Sequence, residues 1–163
     1  MADAVAIVSV AATSAVAIAV PFISARLERS RLRHAAYQAQ VDELRRLLDE
    51  CAAHLTEALS LLWDLSLPEI TDEKRAAARS ALPAKVDQLV SDSVRLGMRL
   101  GDDHEIRRKH ETAQHEFIRI EQHQRSKPGV LDHAGVTAFT NTLMDYTGAC
   151  ASLLGVDVGQ APG

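Results

Sequence analysis

Four of the seven histidines fall in one segment of the sequence, and these are His104, His110, His115 and His123. Imidazole nitrogens are common metal ligands, and two histidines on one helix can share an ion when they are three or four residues apart. His110 and His115 are instead five residues apart, and His115 and His123 are eight apart. The spacing therefore predicts a solvated polar helix face, and we expect neither a metal ion nor another cofactor.

Two cysteines, Cys51 and Cys150, are further candidates for covalent or metal chemistry. Two thiols form neither a disulfide framework nor a four-thiolate metal site. Both fall among apolar residues at helical spacing, where cysteine behaves as a small hydrophobic side chain. The sequence also contains no nucleophile elbow, no phosphate-binding glycine loop and no His-Glu-x-x-His pattern. We therefore expect a protein without catalytic activity.

Basic side chains cluster near the N-terminus, where Arg26, Arg29, Arg31 and Arg33 follow one another within two helical turns. Such a cluster can bind nucleic acid or anionic lipid. The whole chain has 18 Lys and Arg against 22 Asp and Glu, a formal charge of -4, which disfavours a nucleic-acid binder. Because the cluster directly follows an uncharged stretch, its position favours contact with lipid headgroups. The predicted partner is a lipid bilayer and not a nucleic acid.

The uncharged stretch comprises residues 4–25. At about 1.5 Å per residue, a helix of this length covers roughly 33 Å, enough to cross a hydrocarbon core of about 30 Å. Basic residues that flank a membrane helix lie preferentially on its cytoplasmic side. We therefore predict a single-pass cell-membrane protein in which residues 1–25 are the transmembrane anchor, the N-terminus lies outside and the C-terminal domain is cytoplasmic.

Small residues recur every four positions within the predicted anchor, at Ala11, Ala15 and Ala19. This pattern lets two membrane helices pack closely. The same stretch can also be interpreted as a signal peptide cleaved after Ala25, which would release an exported helical protein. A signal peptide has its basic residues before the apolar segment, whereas here they follow it. The anchor is therefore the favoured interpretation.

The sequence from Arg26 to Leu65 contains no proline or glycine and repeats apolar residues every three or four positions. This is the pattern of a helix with one apolar seam. The seam residues with a predicted interaction role are Leu27, Tyr37, Val41, Leu44, Leu48, Cys51, Leu55 and Leu62. The seam is narrow before Leu44, as in a two-stranded stalk, and broad after it, as in a bundle. Residues 26–43 are therefore predicted to form a juxtamembrane stalk-like helix. The seam can pair with the chain's own later helices, with a second copy, or with both.

Prolines, glycines and capping side chains divide the rest of the chain into further helices. The predicted boundaries are Leu67-Pro68, an N-cap at Thr71 or Asp72, a kink or break at Leu82-Pro83, a stop at Gly101, an N-cap at Asp102 or Asp103, a turn at Lys127-Pro128-Gly129, an N-cap at Asp132 and a stop at Gly155. The predicted aromatic core residues are Trp63, Phe117, Phe139 and Tyr146. The predicted fold class is all-α, with an antiparallel bundle of about four helices over residues 44–155 and a flexible tail over residues 156–163.

The predicted anchor, stalk and bundle favour a membrane-anchored, cytoplasm-facing helical interaction protein, such as a scaffold, adaptor or accessory subunit. The sequence does not identify its protein partner, and a homo-oligomer through the post-membrane helix is one candidate. The alternative is a membrane-linked ligand-sensing or signalling module that transmits conformational change through this helix. A pocket inside the bundle with converging polar groups would favour that alternative.

Overall fold

The computed structural model describes the backbone of residues 2–67, 69–127 and 130–155 and, within these ranges, the side chains of residues 28–29, 31–67, 69–127 and 130–155. Four helices account for most of them, namely α1 (Ala2–Ser66), α2 (Asp72–Leu100), α3 (Glu105–Ser126) and α4 (His133–Leu153). The described residues contain no β-strand. The predicted all-α fold class is confirmed.

Helix α2 has the boundaries that its sequence predicts. The hydroxyl of Thr71 accepts a hydrogen bond from the backbone N–H of Lys74, one of the donors that a helix N-terminus leaves unpaired. At the other end Gly101 has a φ of 89°, a conformation that glycine adopts without strain. Pro83 lies inside α2 and does not divide it, so Asp72–Leu100 is one helix.

The N-caps of the two later helices confirm one prediction and correct another. Asp132 caps α4, because its Oδ1 accepts a hydrogen bond of 2.9 Å from the N–H three residues further along. Helix α3 is capped by His104, whose Nδ1 accepts from the N–H two residues further along at 3.2 Å. The prediction that Asp102 or Asp103 caps α3 is therefore wrong. Asp102 forms an ion pair with Arg107 instead.

The chain divides into two compact units, of which one ends at Glu43 and the other begins at Leu44. The residues of α1 before Leu44 belong to the first unit, and those from Leu44 onward belong to the second. In the first unit, the described side chains from Arg31 to Gln40 are exposed. In the second unit, the remainder of α1 packs with the later helices around one core.

Contacts between α1 and α2 give the relative direction of these two helices in the second unit. Glu57 pairs with Lys85 at 2.6 Å, and Glu50 pairs with Arg95 at 2.7 Å. Residue numbers therefore rise along α1 as they fall along α2, so the two helices are antiparallel.

Contacts of aromatic side chains give the direction of α4 relative to its neighbours. The rings of Phe117 and Phe139 have centroids 5.6 Å apart, and those of His110 and Tyr146 are 5.5 Å apart, so α3 and α4 are antiparallel. The hydroxyl of Tyr146 also donates to the carbonyl oxygen of Leu48 in α1 at 3.4 Å. The predicted helical bundle is confirmed for the described residues.

The core of the second unit is aliphatic and aromatic. Its largest fully buried side chains include Leu48, Leu55, Leu62, Leu89, Leu96, Ile106, Phe117, Ile120, Phe139 and Tyr146. Burying one side chain of this size contributes about 1.5–3 kcal/mol. Trp63 is 52 % exposed, so its predicted core position is wrong. It follows the buried Leu62, and the rotation of about 100° between successive helix residues turns it away from the core.

The predicted transmembrane anchor, residues 1–25, lies outside the side chains that the structure describes, as do Ala11, Ala15, Ala19, Arg26 and Leu27. The tail predicted for residues 156–163 lies outside the described residues as well. In the described part of the chain, no helix combines the length and the apolar character that a membrane span requires. The anchor and the tail therefore stay predictions.

Candidate functional site

A group of polar side chains lies inside the second unit, between α1, α2 and α3. Its buried members are Asp92 and Ser93 of α2 and His110 and Gln114 of α3, with exposed fractions of 1 %, 6 %, 0 % and 9 %. Cys51 of α1 is fully buried and lies beside Asp92 and His110. We call these five residues the polar cluster. Because buried polar groups are costly unless they are paired, each of them needs a partner.

Asp92 is paired at the edge between α1 and α2. Its Oδ2 atom lies 2.7 Å from Nδ1 of His54, and its Oδ1 atom lies 3.5 Å from a guanidinium nitrogen of Arg95. The same guanidinium binds Glu50 at 2.7 Å. These contacts satisfy both carboxylate oxygens and orient the side chain, as a buried carboxylate requires.

Within the part of the chain that the structure describes, His110 forms a hydrogen bond through only one of its two ring nitrogens. Nδ1 lies 2.9 Å from the hydroxyl oxygen of Ser93, and that hydroxyl donates its hydrogen to the side-chain carbonyl oxygen of Gln114. Because a hydroxyl has one hydrogen, Ser93 accepts from Nδ1–H, and the lone pair of the neutral imidazole is therefore on Nε2. Nε2 is buried and has no hydrogen-bond partner among the described residues.

Burial also determines the charge of the titratable groups at this site. It lowers the pKa of His110 from 6.5 to about 4, and the nearby Asp92 charge opposes this shift. It raises the pKa of Cys51 from 9.0 to about 12, with Asp92 acting in the same direction. Burial raises the pKa values of Tyr146 and Cys150 as well. Near neutral pH the imidazole and both thiols are therefore uncharged, and neither thiol is the activated thiolate that nucleophilic catalysis uses.

Sulfur, oxygen and nitrogen atoms from three helices come together in the polar cluster. The Sγ atom of Cys51, a carboxylate oxygen of Asp92 and a ring nitrogen of His110 lie within 4.8 Å of one another. Thiolate, carboxylate and imidazole are the side-chain ligands that Zn²⁺ accepts in proteins. The arrangement can therefore ligate a metal ion, although each helix supplies a single ligand.

Sequence reasoning did not name Asp92 and assigned His110 to a solvated face, yet the apolar periodicity contained a signal for both. Asp92 falls three residues after Leu89 and four before Leu96, and both leucines are fully buried. His110 falls four residues after Ile106 and three before Ala113, which are 2 % and 0 % exposed. A polar residue at such a position faces the core.

The other histidines of this segment lie elsewhere. His104 is the N-cap of α3, His115 is exposed and His123 is half-buried. The predicted solvated face is therefore wrong for His110 and correct for His115. Asn141, on the apolar helix α4, is exposed.

The structure places the predicted interaction residues in different surroundings. The membrane-flanking residues with described side chains are exposed, and these are Arg29, Arg31 and Arg33. The described seam residues comprise the exposed Tyr37, the half-buried Val41 and Leu44, and the buried Leu48, Cys51, Leu55 and Leu62. From Leu48 onward, the seam packs against the chain's own helices.

Surface clefts lined by described residues lie at the two ends of the bundle. One, of about 290 Å³, is lined by residues that include Leu65, Arg79 and His133. The other, of about 270 Å³, includes Ile106 and Leu153. Both volumes lie at the lower limit for pockets that bury a small molecule. The polar cluster is therefore the stronger candidate site.

Comparison with known proteins gives no assignment for this site. No protein-family model, no curated protein and no solved structure matches the chain. Its function is therefore inferred from its own residues and from their geometry.

Proposed function

We propose that this protein is a membrane-anchored, cytoplasm-facing helical interaction protein. The observation that carries the proposal is the uncharged run of residues 4–25, which is followed in α1 by the exposed Arg29, Arg31 and Arg33. The buried seam from Leu48 to Leu65 belongs to the bundle that follows in the second unit. A chain with these two parts can hold a folded bundle at a lipid surface.

The charges next to the uncharged stretch support this orientation. Arg29, Arg31 and Arg33 are exposed on α1. A basic residue close to an anionic leaflet contributes about 1 kcal/mol to membrane association. Basic residues also favour the cytoplasmic side of a membrane helix. The positions of these arginines therefore support a cytoplasmic bundle.

The interaction surface in this proposal is the juxtamembrane segment, defined as residues 31–43 of α1. Its apolar side chains include Leu32, which is 65 % exposed, and Tyr37, which is 60 % exposed. A helical segment of this length gains stability when its apolar side packs on another helix. We assign a second, parallel copy of the chain as the partner. Two chains anchored by their N-termini present this segment at the same depth and at high effective concentration.

Charges introduced into the predicted anchor are expected to release the protein from membranes. Arginine at the centre of a membrane helix costs about 2.5–3.5 kcal/mol. The full chain carrying both Ala11→Arg and Ala15→Arg should therefore move from the carbonate-washed membrane pellet to the soluble fraction. Met144→Arg is the matched control, because Met144 is 65 % exposed on the bundle surface, and this variant should stay with the membranes. Recovery of the unaltered chain in the soluble fraction would contradict the anchor.

Topology is tested with reporters fused after Gly163. A reporter that folds only in the cytoplasm should be active, and one that requires export should be inactive. The reverse result, together with a mature chain beginning after Ala25, would support the exported alternative and overturn the proposal.

Association through the juxtamembrane segment is expected to weaken when Tyr37 becomes acidic. In a parallel pair, Tyr37→Glu places two like charges along one seam, which disfavours pairing. We expect an association about tenfold weaker, equivalent to about 1.4 kcal/mol, measured by energy transfer between labelled full-length chains in vesicles. Met98→Glu is the control, because Met98 is 83 % exposed in the bundle. A wild-type chain that is monomeric at all densities would contradict the assignment of a second copy.

A further inference from the structure

We propose that the polar cluster binds one Zn²⁺ ion through Sγ of Cys51, a carboxylate oxygen of Asp92 and Nε2 of His110. The three ligands come from α1, α2 and α3 and all belong to the bundle. The site is therefore independent of the proposed membrane anchor and of the juxtamembrane segment.

The distances among the three ligand atoms suit a tetrahedral ion after a small contraction. Zinc bonds of about 2.0–2.3 Å at tetrahedral angles separate two ligand atoms by about 3.3–3.6 Å. Sγ of Cys51, a carboxylate oxygen of Asp92 and a ring nitrogen of His110 lie within 4.8 Å of one another, so movements of about 1 Å complete the geometry. Three protein ligands leave the fourth position for a water molecule.

The unpaired nitrogen of His110 is the observation that points to a ligand. His110 is fully buried, and its Nε2 atom has no hydrogen-bond partner among the described residues. Its other nitrogen donates to Ser93, which in turn donates to Gln114. Metal-binding histidines have this arrangement, because a hydrogen bond at one nitrogen fixes the ring and directs the lone pair of the other toward the ion.

The remaining ligands are oriented in a similar way. Asp92 is held by His54 at 2.7 Å on one oxygen and faces Arg95 at 3.5 Å on the other. Such partners of a ligating carboxylate fix its direction and strengthen metal binding. Cys51 is fully buried beside it. The site therefore has supporting contacts for its imidazole and for its carboxylate.

The charge balance explains why a buried ion is tolerated here. On binding, the S–H bond of Cys51 breaks, an S–Zn bond forms and the proton passes to solvent. One thiolate and one carboxylate then neutralise the two positive charges of Zn²⁺, and the imidazole stays neutral. The sulfur and nitrogen ligands favour Zn²⁺ over Mg²⁺ and Ca²⁺, which prefer oxygen ligands.

The test uses the full chain in mild detergent with a phosphine reductant, after removal of metals by a chelator. Titration with Co²⁺ should give a thiolate-to-cobalt charge-transfer band and visible absorption of a tetrahedral ion, saturating at one ion per chain. Zn²⁺ should displace the cobalt without further proton release, whereas Zn²⁺ added to the metal-free protein should release one proton per chain. Zn²⁺ should also raise the melting temperature of the protein.

Two matched pairs of variants identify the ligands. Cys51→Ala should abolish the charge-transfer band and Cys150→Ala should retain it, although both cysteines are buried. His110→Gln should weaken cobalt binding at least a hundredfold, whereas His115→Gln, at an exposed position of the same helix, should leave it unchanged.

Three results would overturn the proposal. The first is a wild-type chain that gives no charge-transfer band and no zinc-dependent rise in melting temperature. The second is a band that persists in Cys51→Ala, and the third is a band that disappears in Cys150→Ala. If Cys51→Ala does not fold, the wild-type measurements and the Cys150→Ala variant still decide the outcome. Failure of the membrane experiments would leave this result untouched.

Discussion

The metal-free protein is expected to lose on the order of 2 kcal/mol of its free energy of unfolding when the pH falls from about 7 to about 5. The cause is His110, whose pKa burial lowers from 6.5 to about 4. In the unfolded chain this imidazole takes up a proton near pH 6.5, but in the folded chain only near pH 4. Protons therefore favour the unfolded state throughout this window. The full loss, on the order of 3 kcal/mol, is complete below about pH 4.

The groups that face His110 do not remove this effect. The negative charge of Asp92 raises the pKa of His110, while His54 lowers it, and desolvation outweighs both. Cys51 and Tyr146 have raised pKa values, so both stay neutral as the pH falls. None of these neighbours supplies a negative charge large enough to stabilise a buried imidazolium.

The pH window also separates His110 from the carboxylates of the bundle. Hydrogen bonds from Arg95 and Lys85 lower the pKa values of Glu50 and Glu57, respectively, below their ordinary value of 4.5. Any stability that these groups contribute is present above about pH 4.5 and is lost only as the pH falls further. A loss between pH 7 and pH 5 therefore reports on histidine.

A pair of variants tests whether His110 causes this loss of stability. His110→Gln removes the titration, and its amide can still donate to Ser93, so its free energy of unfolding should change little between pH 7 and pH 5. His115→Gln, which changes an exposed side chain of the same helix, should retain the wild-type slope. Denaturant unfolding followed by circular dichroism, with a chelator present, measures both. An unaltered slope in His110→Gln would show that another group takes up the proton.

Helix boundaries could be predicted from sequence where the signal is local. Thr71 and Asp132 act as N-caps because a short side chain reaches an N–H within three residues. Gly101 ends α2 because glycine adopts positive φ without a steric penalty. Each of these contacts is decided within one helical turn, so the sequence alone is sufficient. The predicted cap of α3 is wrong because three consecutive residues, Asp102, Asp103 and His104, each carry a side chain that can accept a hydrogen bond at a helix N-terminus.

The polar cluster could not be predicted in this way, because its contacts join residues far apart in the chain. Spacing rules for metal ligands compare residues on one helix, whereas Cys51, Asp92 and His110 lie on three. Their meeting depends on the rotation and the register of each helix in the bundle. The periodicity could have shown that Asp92 and His110 face the core. It could not have shown that the two side chains lie at the same height along the bundle axis.

Gly135→Ala is expected to destabilise the protein by about 2 kcal/mol, which corresponds to a melting temperature about 8 °C lower for a domain of this size. A Cβ atom at this position would lie 2.6 Å from Oδ2 of Asp132 and 2.9 Å from Cγ1 of Ile120. The first neighbour caps α4, and the second is fully buried in α3. The added methyl group must therefore disturb the cap, the packing between α3 and α4, or both.

Gly148→Ala is the matched control, because Gly148 lies in the same helix and a Cβ atom there would meet nothing within 4 Å. Alanine favours a helix over glycine by about 0.5–1 kcal/mol, so this variant should be more stable than the wild type. The same chemical change in one helix is thus expected to have opposite effects, with a difference of about 3 kcal/mol between the two variants. Equal stabilisation of both would mean that α4 can move away from Ile120 at little cost. Since the packing of α4 against α3 also brings Tyr146 onto His110, such freedom would loosen one wall of the polar cluster.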